Sequence, residues 1–221
     1  MSIKNNTLVS PSLLSADFSD LKKEISDIET AGAEWLHLDV IDGVFAPNIT
    51  FGAPVIAALR DKTELFFDVH LMITEPIRYL EDFQRAGADG ITVHAEACRN
   101  IGETLDAIRD FGCRPGLSIK PDTPVESIAP YLDRLALVLV MTVNPGFSGQ
   151  RFMPEMLPKI EWLAAERRRL GANYLIEVDG GVSDANAALL RSAGCDVLVA
   201  GSAVFGKKDR KAAVAALKGC V

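Results

Sequence analysis

Short runs of apolar residues recur along the chain, with amphipathic stretches between them. The runs predict strands at 8–13, 35–40, 65–71, 90–94, 115–119, 136–142, 174–178 and 196–200. Several runs are apolar at nearly every position, as in 135–141, which is typical of parallel strands covered on both faces. The intervening stretches have helical spacing, as Phe18, Leu21, Ile25 and Ile28 show. The pattern therefore predicts strands that alternate with helices.

A glycine recurs where each of several predicted helices ends. These glycines are Gly32, Gly87, Gly112, Gly171 and Gly194. Glycine is favoured there because it readily adopts the left-handed conformation that ends a helix. The five span 162 residues, or six units of 27, and the two long gaps predict further turns near 61–62 and 132–133. A repeat of this length, with one strand and one helix per unit, indicates stacked βα units.

Eight such units in 221 residues predict an α/β fold, a single (β/α)8 TIM barrel that spans residues 1–221. The alternative is a doubly wound open sheet. Such sheets usually have fewer strands, and the first predicted strand is not followed by the G-x-G-x-x-G turn of dinucleotide-binding folds. The barrel is therefore the favoured prediction.

Composition and charge argue against some classes of binding partner. The net charge of −7 argues against nucleic acid, and an anionic ligand would need a local site that attracts it. The N-terminus lacks an apolar signal region, and no stretch approaches the length of a membrane span. The four cysteines are scattered without a C-x-x-C pair, which indicates reduced thiols. We therefore expect a cytoplasmic protein without a nucleic-acid or membrane partner.

Titratable residues collect at the predicted carboxyl ends of strands, where (β/α)8 barrels carry their chemistry. His37 is near the end of strand 2, which Asp39 ends. His70 and His94 are at the ends of strands 3 and 4, and Asp179 follows strand 7. His37 and Asp39 are two positions apart, so they share the strand face that points into the barrel. A buried carboxylate is costly unless it is paired or bound to a metal. A metal site is therefore favoured over a set of hydrogen-bonded polar groups.

Further polar residues near these strand ends are expected to support the site. His94 is either another ligand or a supporting residue oriented by Glu96, and the supporting role is favoured. Asp68 shares the inward-facing parity of His70, which places it behind the ligands. Asp42 is expected to cap a turn.

Glycine-rich turns follow strands 6, 7 and 8, at 144–149, 180–181 and 201–202. Glycine lets backbone N–H groups approach an anion, and (β/α)8 barrels often bind phosphate after strands 7 and 8, beside a short helix. Ser202–Phe205 is predicted to form that helix. Backbone donors would explain how an acidic protein binds an anion. The segment 144–150 is the candidate for a loop that closes over the substrate.

These motifs together resemble the ribulose-phosphate 3-epimerase family, over nearly the whole chain. The similarity rests on residues 11–18, 37–43, 45–48, 68–72, 143–147, 177–181 and 200–203. The chain departs from the family pattern in carrying Ile41 where methionine is usual and Val44 where histidine is frequent. It also has Ser148 in a loop that more often reads Gly-Phe-Gly-Gly. The departures leave allulose 6-phosphate, the substrate of a sister group, as an alternative to ribulose 5-phosphate.

The resemblance implies interconversion of D-ribulose 5-phosphate and D-xylulose 5-phosphate in the pentose phosphate pathway, by proton transfer at C3 through an enediolate. It implies one divalent metal per subunit, with zinc first and iron, manganese or cobalt as alternatives. The implied ligands are His37, Asp39, His70 and Asp179, and the implied acid/base pair is Asp39 and Asp179. It also implies a phosphosugar substrate and a homo-oligomer. Neither a metal-dependent hydrolase nor a non-catalytic phosphosugar-binding barrel is ruled out by the residues.

The resemblance also implies a set of substrate contacts, which combine groups near the metal with the glycine-rich turns. The implied contacts are Ser12, His70, Gly146, Phe147, Ser148, Gly149, Asp179, Gly180, Gly181, Gly201 and Ser202. Three apolar residues are expected to line the pocket, namely Met72, Met141 and Ile41.

Overall fold

The computed structural model describes residues 7–220, which form one parallel sheet surrounded by helices. The strands are β1 (Leu8–Pro11), β2 (Trp35–Ile41), β3 (Phe66–Met72), β4 (Gly90–His94), β5 (Arg114–Ile119), β6 (Leu137–Met141), β7 (Leu175–Asp179) and β8 (Val197–Ala200). Neighbouring strands pair in parallel from β1 through β8 and back to β2. A parallel bridge between Ser12 and His37 joins β1 to β2 and closes the barrel. The predicted (β/α)8 barrel is confirmed, and the open sheet is wrong.

All eight predicted strands are present, with bounds within two residues of those expected. Asp179, expected just after β7, is the last residue of that strand. The helices are α1 (Leu21–Thr30), α2 (Ala53–Arg60), α3 (Leu80–Arg85), α4 (Ile101–Asp110), α5 (Leu157–Leu170), α6 (Asp184–Ala193), α7 (Ser202–Phe205) and α8 (Arg210–Lys218). All five predicted helix-ending glycines have positive φ, between 62° and 108°. A turn at 61–62 follows α2, as predicted.

Two local predictions are wrong. Phe18 is not part of α1; it lies in a preceding 3₁₀ turn, Phe18–Asp20, and is 47% exposed. The unit after β5 has no α-helix in the described chain, because Val125–Arg134 is a 3₁₀ segment with Pro130 inside it. Proline lacks the N–H group that a continuous α-helix requires. The turn expected at 132–133 therefore falls within this segment.

The inward-facing residues change character along the barrel axis. At the end where the strands begin, the interior is apolar and is filled by Trp35, Phe66, Leu137, Leu175 and Val197. The rings of Trp35 and Phe66 stack there with centroids 4.3 Å apart. Towards the other end polar side chains, among them His37, Asp39 and His70, join apolar ones such as Met141 inside the barrel. The fold thus seals the barrel at its foot and places the titratable groups at its mouth.

Within residues 7–220, the helices are all too short or too polar to cross a bilayer. The four cysteines form no disulfide in the described part of the chain, and burial raises the pKa of Cys113 to about 11. The prediction about an N-terminal signal region concerns residues that lie partly outside the described range.

Candidate active site

Two adjacent strands bring three potential metal ligands together at the mouth of the barrel. His37 Nε2 lies 3.2 Å from Asp39 Oδ1, and His70 Nδ1 lies 3.1 Å from the same oxygen. The two ring nitrogens are 3.3 Å apart. Asp179 completes the group from β7, since one ligand atom of each of the four residues lies within 4.8 Å of the others. The structure therefore brings together the four ligands predicted from the sequence.

The spacing of these atoms suits a divalent cation. Zinc binds nitrogen and oxygen ligands at about 2.0–2.2 Å, which places neighbouring ligand atoms roughly 3.0–3.4 Å apart in octahedral or tetrahedral geometry. The three separations around His37, Asp39 and His70 fall in that interval. Two imidazoles and two carboxylates form the mixed nitrogen and oxygen set that zinc, manganese, iron and cobalt accept. The donor set thus fits a metal, but it does not select one metal.

Asp68 fixes the orientation of His37 from inside the barrel. His37 Nδ1 lies 2.6 Å from Asp68 Oδ2, so it donates its proton to that carboxylate and leaves Nε2 free to ligate. Ser10 donates a hydrogen bond to the same oxygen, at 3.4 Å. Burial acts to lower the pKa of His37, but the charges of Asp39 and Asp68 outweigh it and raise that pKa. Asp68 thus lies where the sequence predicted a supporting residue.

His94 lies behind His70 rather than among the ligands. The Nε2 atoms of the two rings are 2.9 Å apart, and His94 Nδ1 is 3.3 Å from Glu96 Oε2. Burial is the main reason that the pKa of His94 falls to about 4, so its ring is neutral near pH 7. This placement agrees with the supporting role predicted for His94.

The two candidate acid/base residues have pKa values displaced in opposite directions. Burial acts to raise the pKa of Asp39, but the adjacent His37 and His70 outweigh it and hold that pKa below its usual value. Burial, followed by the negative charge of Asp39, raises the pKa of Asp179 to about 7. Ser12 donates a 2.6 Å hydrogen bond to the second carboxylate oxygen of Asp39. One carboxylate therefore favours the ionised form and the other retains a proton more easily.

A cavity of about 290 Å³ opens above these carboxylates. Asp39 and Asp179 line it, together with Met72, Met141 and every predicted substrate contact except His70. His70 is fully buried and does not line this cavity, so the structure does not bring it to the predicted contact surface. Ile41 does not line the cavity either. It is buried in a small apolar cluster with Ala46 and Met72, which corrects its predicted position.

The glycine-rich turns after β6, β7 and β8 line the same cavity. The backbone at Gly181 leaves no room for a side chain. Its φ is 65°, and a Cβ atom would lie 2.3 Å from the backbone nitrogen of Phe152. Ser15, which the sequence interpretation missed, also lines the cavity, and its buried hydroxyl has no hydrogen-bond partner in the described residues.

The segment 144–150 lies over one side of the cavity and is fastened at several points. Asn48 donates a 2.8 Å hydrogen bond to the carbonyl oxygen of Gly146. Gln150 donates to the carbonyl oxygens of Asn144 and Phe147, at 2.7 and 3.0 Å. Phe147 is 55% exposed. That this segment closes over a substrate stays a prediction.

Asp42 caps the turn after β2, as predicted. One carboxylate oxygen accepts hydrogen bonds from the backbone N–H groups of Val44 and Phe45, each at 2.8 Å. The other oxygen accepts from the N–H group of Thr74, also at 2.8 Å, and so ties this turn to the loop after β3. Asp42 is therefore structural.

Two further residues received no role from the sequence. Glu177 lies two positions before Asp179, and that parity is a signal that it points into the barrel. Burial raises its pKa well above the usual value, and its oxygens have no hydrogen-bond partner within the described chain. Lys207 is the only lysine or arginine among the described residues that line the cavity. No motif pointed to it.

A closed (β/α)8 barrel with a candidate metal-ligand group and two carboxylates of displaced pKa at its mouth has the architecture of a (β/α)8 enzyme. A profile of the ribulose-phosphate 3 epimerase family matches residues 8–205. The chain therefore belongs to the ribulose-phosphate 3-epimerase family, whose members are isomerases.

Individual relatives agree with this assignment. A ribulose-phosphate 3-epimerase of Bacillus subtilis (strain 168) is 50% identical over 212 residues, which are 96% of this chain and 98% of the relative. One from Treponema pallidum (strain Nichols) is 49% identical, over 89% of this chain and 90% of the relative. The structure of 3-keto-L-gulonate-6-phosphate decarboxylase from Vibrio cholerae has a TM-score of 0.72 at 16% identity, covering 97% of this chain and 97% of that chain. That likeness concerns the fold alone.

Proposed function

We propose that the chain interconverts D-ribulose 5-phosphate and D-xylulose 5-phosphate. The observation that carries the proposal is the pair of carboxylates on the cavity floor, Asp39 and Asp179, whose pKa values are displaced in opposite directions. Inverting a carbon beside a ketone requires a base on one face and an acid on the other. The 42–50% identity to curated proteins with this name supports the choice of substrate.

In the proposed reaction, ionised Asp39 removes the proton from C3 and Asp179 returns one to the opposite face. Ser12 holds one oxygen of Asp39 through its 2.6 Å hydrogen bond, which leaves the carboxylate in a fixed orientation. When bound by His37, Asp39, His70 and Asp179, a divalent metal supplies a Lewis acid that stabilises negative charge on the substrate oxygens. The glycine-rich turns hold the phosphate, so the reacting carbon stays between the two aspartates.

The finer assignments belong to the same proposal. The chain is a single catalytic domain, and the metal is zinc, with iron, manganese or cobalt able to replace it. The remaining contacts to the substrate come from the cavity residues named above. We further propose that the protein is a homo-oligomer that works in the pentose phosphate pathway in the cytoplasm, as the resemblance of the sequence implies.

The test is turnover of the metal-loaded enzyme in D₂O, with ribulose 5-phosphate and allulose 6-phosphate compared side by side. We expect a higher kcat/KM for the pentulose, with deuterium entering at C3. Preference for the hexulose would move the chain to the sister activity. Release of inorganic phosphate would indicate a hydrolase, and binding without deuterium uptake would indicate a non-catalytic barrel.

Replacement of Lys207 by glutamine is expected to raise KM for the phosphosugar about three- to tenfold with little change in kcat. The reason is that this side chain is the only basic group lining a cavity that also contains Asp39, Asp179 and Asp184, among the described residues. The matched control is Lys208→Gln, which removes the same charge one residue further along and outside this cavity. Steady-state kinetics at two ionic strengths checks the prediction. Equal KM changes in both variants would contradict it.

A further inference from the structure

A line of three side chains leads away from the metal-ligand group, from His70 through His94 to Glu96. His70 Nε2 lies 2.9 Å from His94 Nε2, and His94 Nδ1 lies 3.3 Å from Glu96 Oε2. Both rings are fully buried, whereas the Glu96 side chain is 23% exposed. The line therefore connects a buried candidate ligand to a carboxylate at the edge of the barrel mouth.

The chemistry of imidazole fixes the direction of each hydrogen bond. His70 Nδ1 is the atom that faces Asp39 and His37, so it must present a lone pair to a cation. The single ring proton of a neutral His70 then lies on Nε2. Two N–H groups cannot face each other at 2.9 Å, so His94 Nε2 is the acceptor. The proton of His94 is consequently on Nδ1, where it is donated to Glu96.

Glu96 is held as an ionised acceptor. Its second oxygen accepts a 2.8 Å hydrogen bond from the backbone N–H of Lys120 and another from the hydroxyl of Thr123. Burial acts to raise the pKa of Glu96, but the bonds from His94, Thr123 and Lys120 outweigh it and lower that pKa to about 2. The carboxylate therefore has no proton to offer, and its position sets the tautomer of the ring beside it.

A neighbouring aromatic ring also restricts the orientation of the His94 ring. The ring of Phe45 packs against it with centroids 4.6 Å apart, and Lys120 Nζ lies 3.8 Å from the centre of the Phe45 ring. Rotation of the His94 ring would therefore disturb its contact with Phe45, in the loop after β2. The packing and the hydrogen bonds hold one orientation.

We propose that His94 and Glu96 are positioning residues that hold His70 in the tautomer with Nδ1 free for the metal. The inference rests on the metal site proposed above and adds two residues to it. Outer hydrogen-bond partners orient a ligating histidine and raise its basicity, and their loss typically lowers metal affinity by about 10- to 100-fold. His37 receives the same support from Asp68 directly, whereas His70 receives it through a second histidine.

The test compares His94→Leu with His94→Gln. Leucine fills similar space but accepts no hydrogen bond, whereas the glutamine amide can accept from His70 through its oxygen and donate to Glu96 through its nitrogen. Affinity for Zn²⁺ is measured without substrate, by competition with a chromophoric chelator. We expect a loss of about 10- to 100-fold in His94→Leu and a loss of no more than about threefold in His94→Gln. The visible absorption of the Co²⁺-loaded proteins should change in the leucine variant and be retained in the glutamine variant.

Two further measurements separate a loss of metal affinity from a failure of the His94 variants to fold. Thermal unfolding of the metal-free proteins shows whether each variant folds, and Glu96→Ala offers a second variant at a partly exposed position, with an expected affinity loss of about threefold or more. If the unaltered chain binds no divalent cation, the metal site itself fails. If it binds one and His94→Leu binds it equally tightly, or if folded His94→Gln loses as much affinity as His94→Leu, the positioning inference alone is overturned.

Discussion

Asp39→Asn and Asp179→Asn are each expected to lower kcat by about a thousandfold, since positioned acid–base groups contribute about 10²- to 10⁴-fold. Asparagine keeps the size and shape of the side chain but can neither take nor return a proton. Steady-state epimerase assays of the metal-loaded variants, with metal content measured in parallel, check the result. The measured metal content separates loss of the acid/base group from loss of a ligand.

Exchange of solvent deuterium into the substrate distinguishes the roles of the two aspartates. With one aspartate removed, the other still faces one side of C3, so each variant should exchange deuterium into only one of the two substrate epimers. The two variants should differ in which epimer exchanges. Asp61→Asn is the matched control, because Asp61 is 72% exposed at the end of α2 and takes no part in the site. Near-normal turnover in either active-site variant would rule out the two-aspartate scheme.

Removal of the metal by dialysis against a chelator is expected to lower kcat by about a thousandfold or more. A Lewis acid contributes several kcal/mol to a transition state that develops charge on oxygen, and about 1.36 kcal/mol corresponds to each factor of ten. Adding back Zn²⁺, Mn²⁺ or Co²⁺ should restore turnover, because the donor set accepts all three.

The control for metal removal is a measurement that shows the metal-free protein to be folded. The apolar core lies between the strands and the helices and does not depend on the ligands, so the stripped protein should unfold cooperatively. Its melting temperature should fall, since a ligand that binds only the folded state stabilises it. Full turnover in a chain that retains less than about one-tenth of a metal ion per subunit would contradict the proposed role.

The ligands were predictable because two simple rules coincide at them. Inward parity selects His37 and Asp39 on β2, and the strand ends collect His70 and Asp179 at the same mouth. The strands were predictable from their apolar runs, because a parallel strand that is buried on both faces is apolar at nearly every position.

Other features were missed for different physical reasons. Pro130 changed a predicted helix into a 3₁₀ segment, although the apolar spacing there suits a helix. Ile41 has the inward parity of the site residues, yet the loop that follows β2 covers it. Lys207 follows the short helix α7 and lines the cavity, although no motif or strand end marks it. Pro130 is a local signal that the helical spacing concealed, whereas the positions of Ile41 and Lys207 depend on contacts that the linear pattern does not show.

The apolar foot of the barrel has a consequence for the proton balance of the proposed reaction. After one forward turnover, Asp39 would hold the proton that it removed and Asp179 would lack one, so the enzyme would be ready only for the reverse reaction. Trp35 and Phe66 fill the interior at the foot, whereas the cavity at the mouth is open to solvent. The proton would therefore leave through the same opening as the product. The proton exchange that returns Asp39 and Asp179 to their starting protonation states would then compete with product release for one opening. At high product concentration this exchange would become a separate kinetic step.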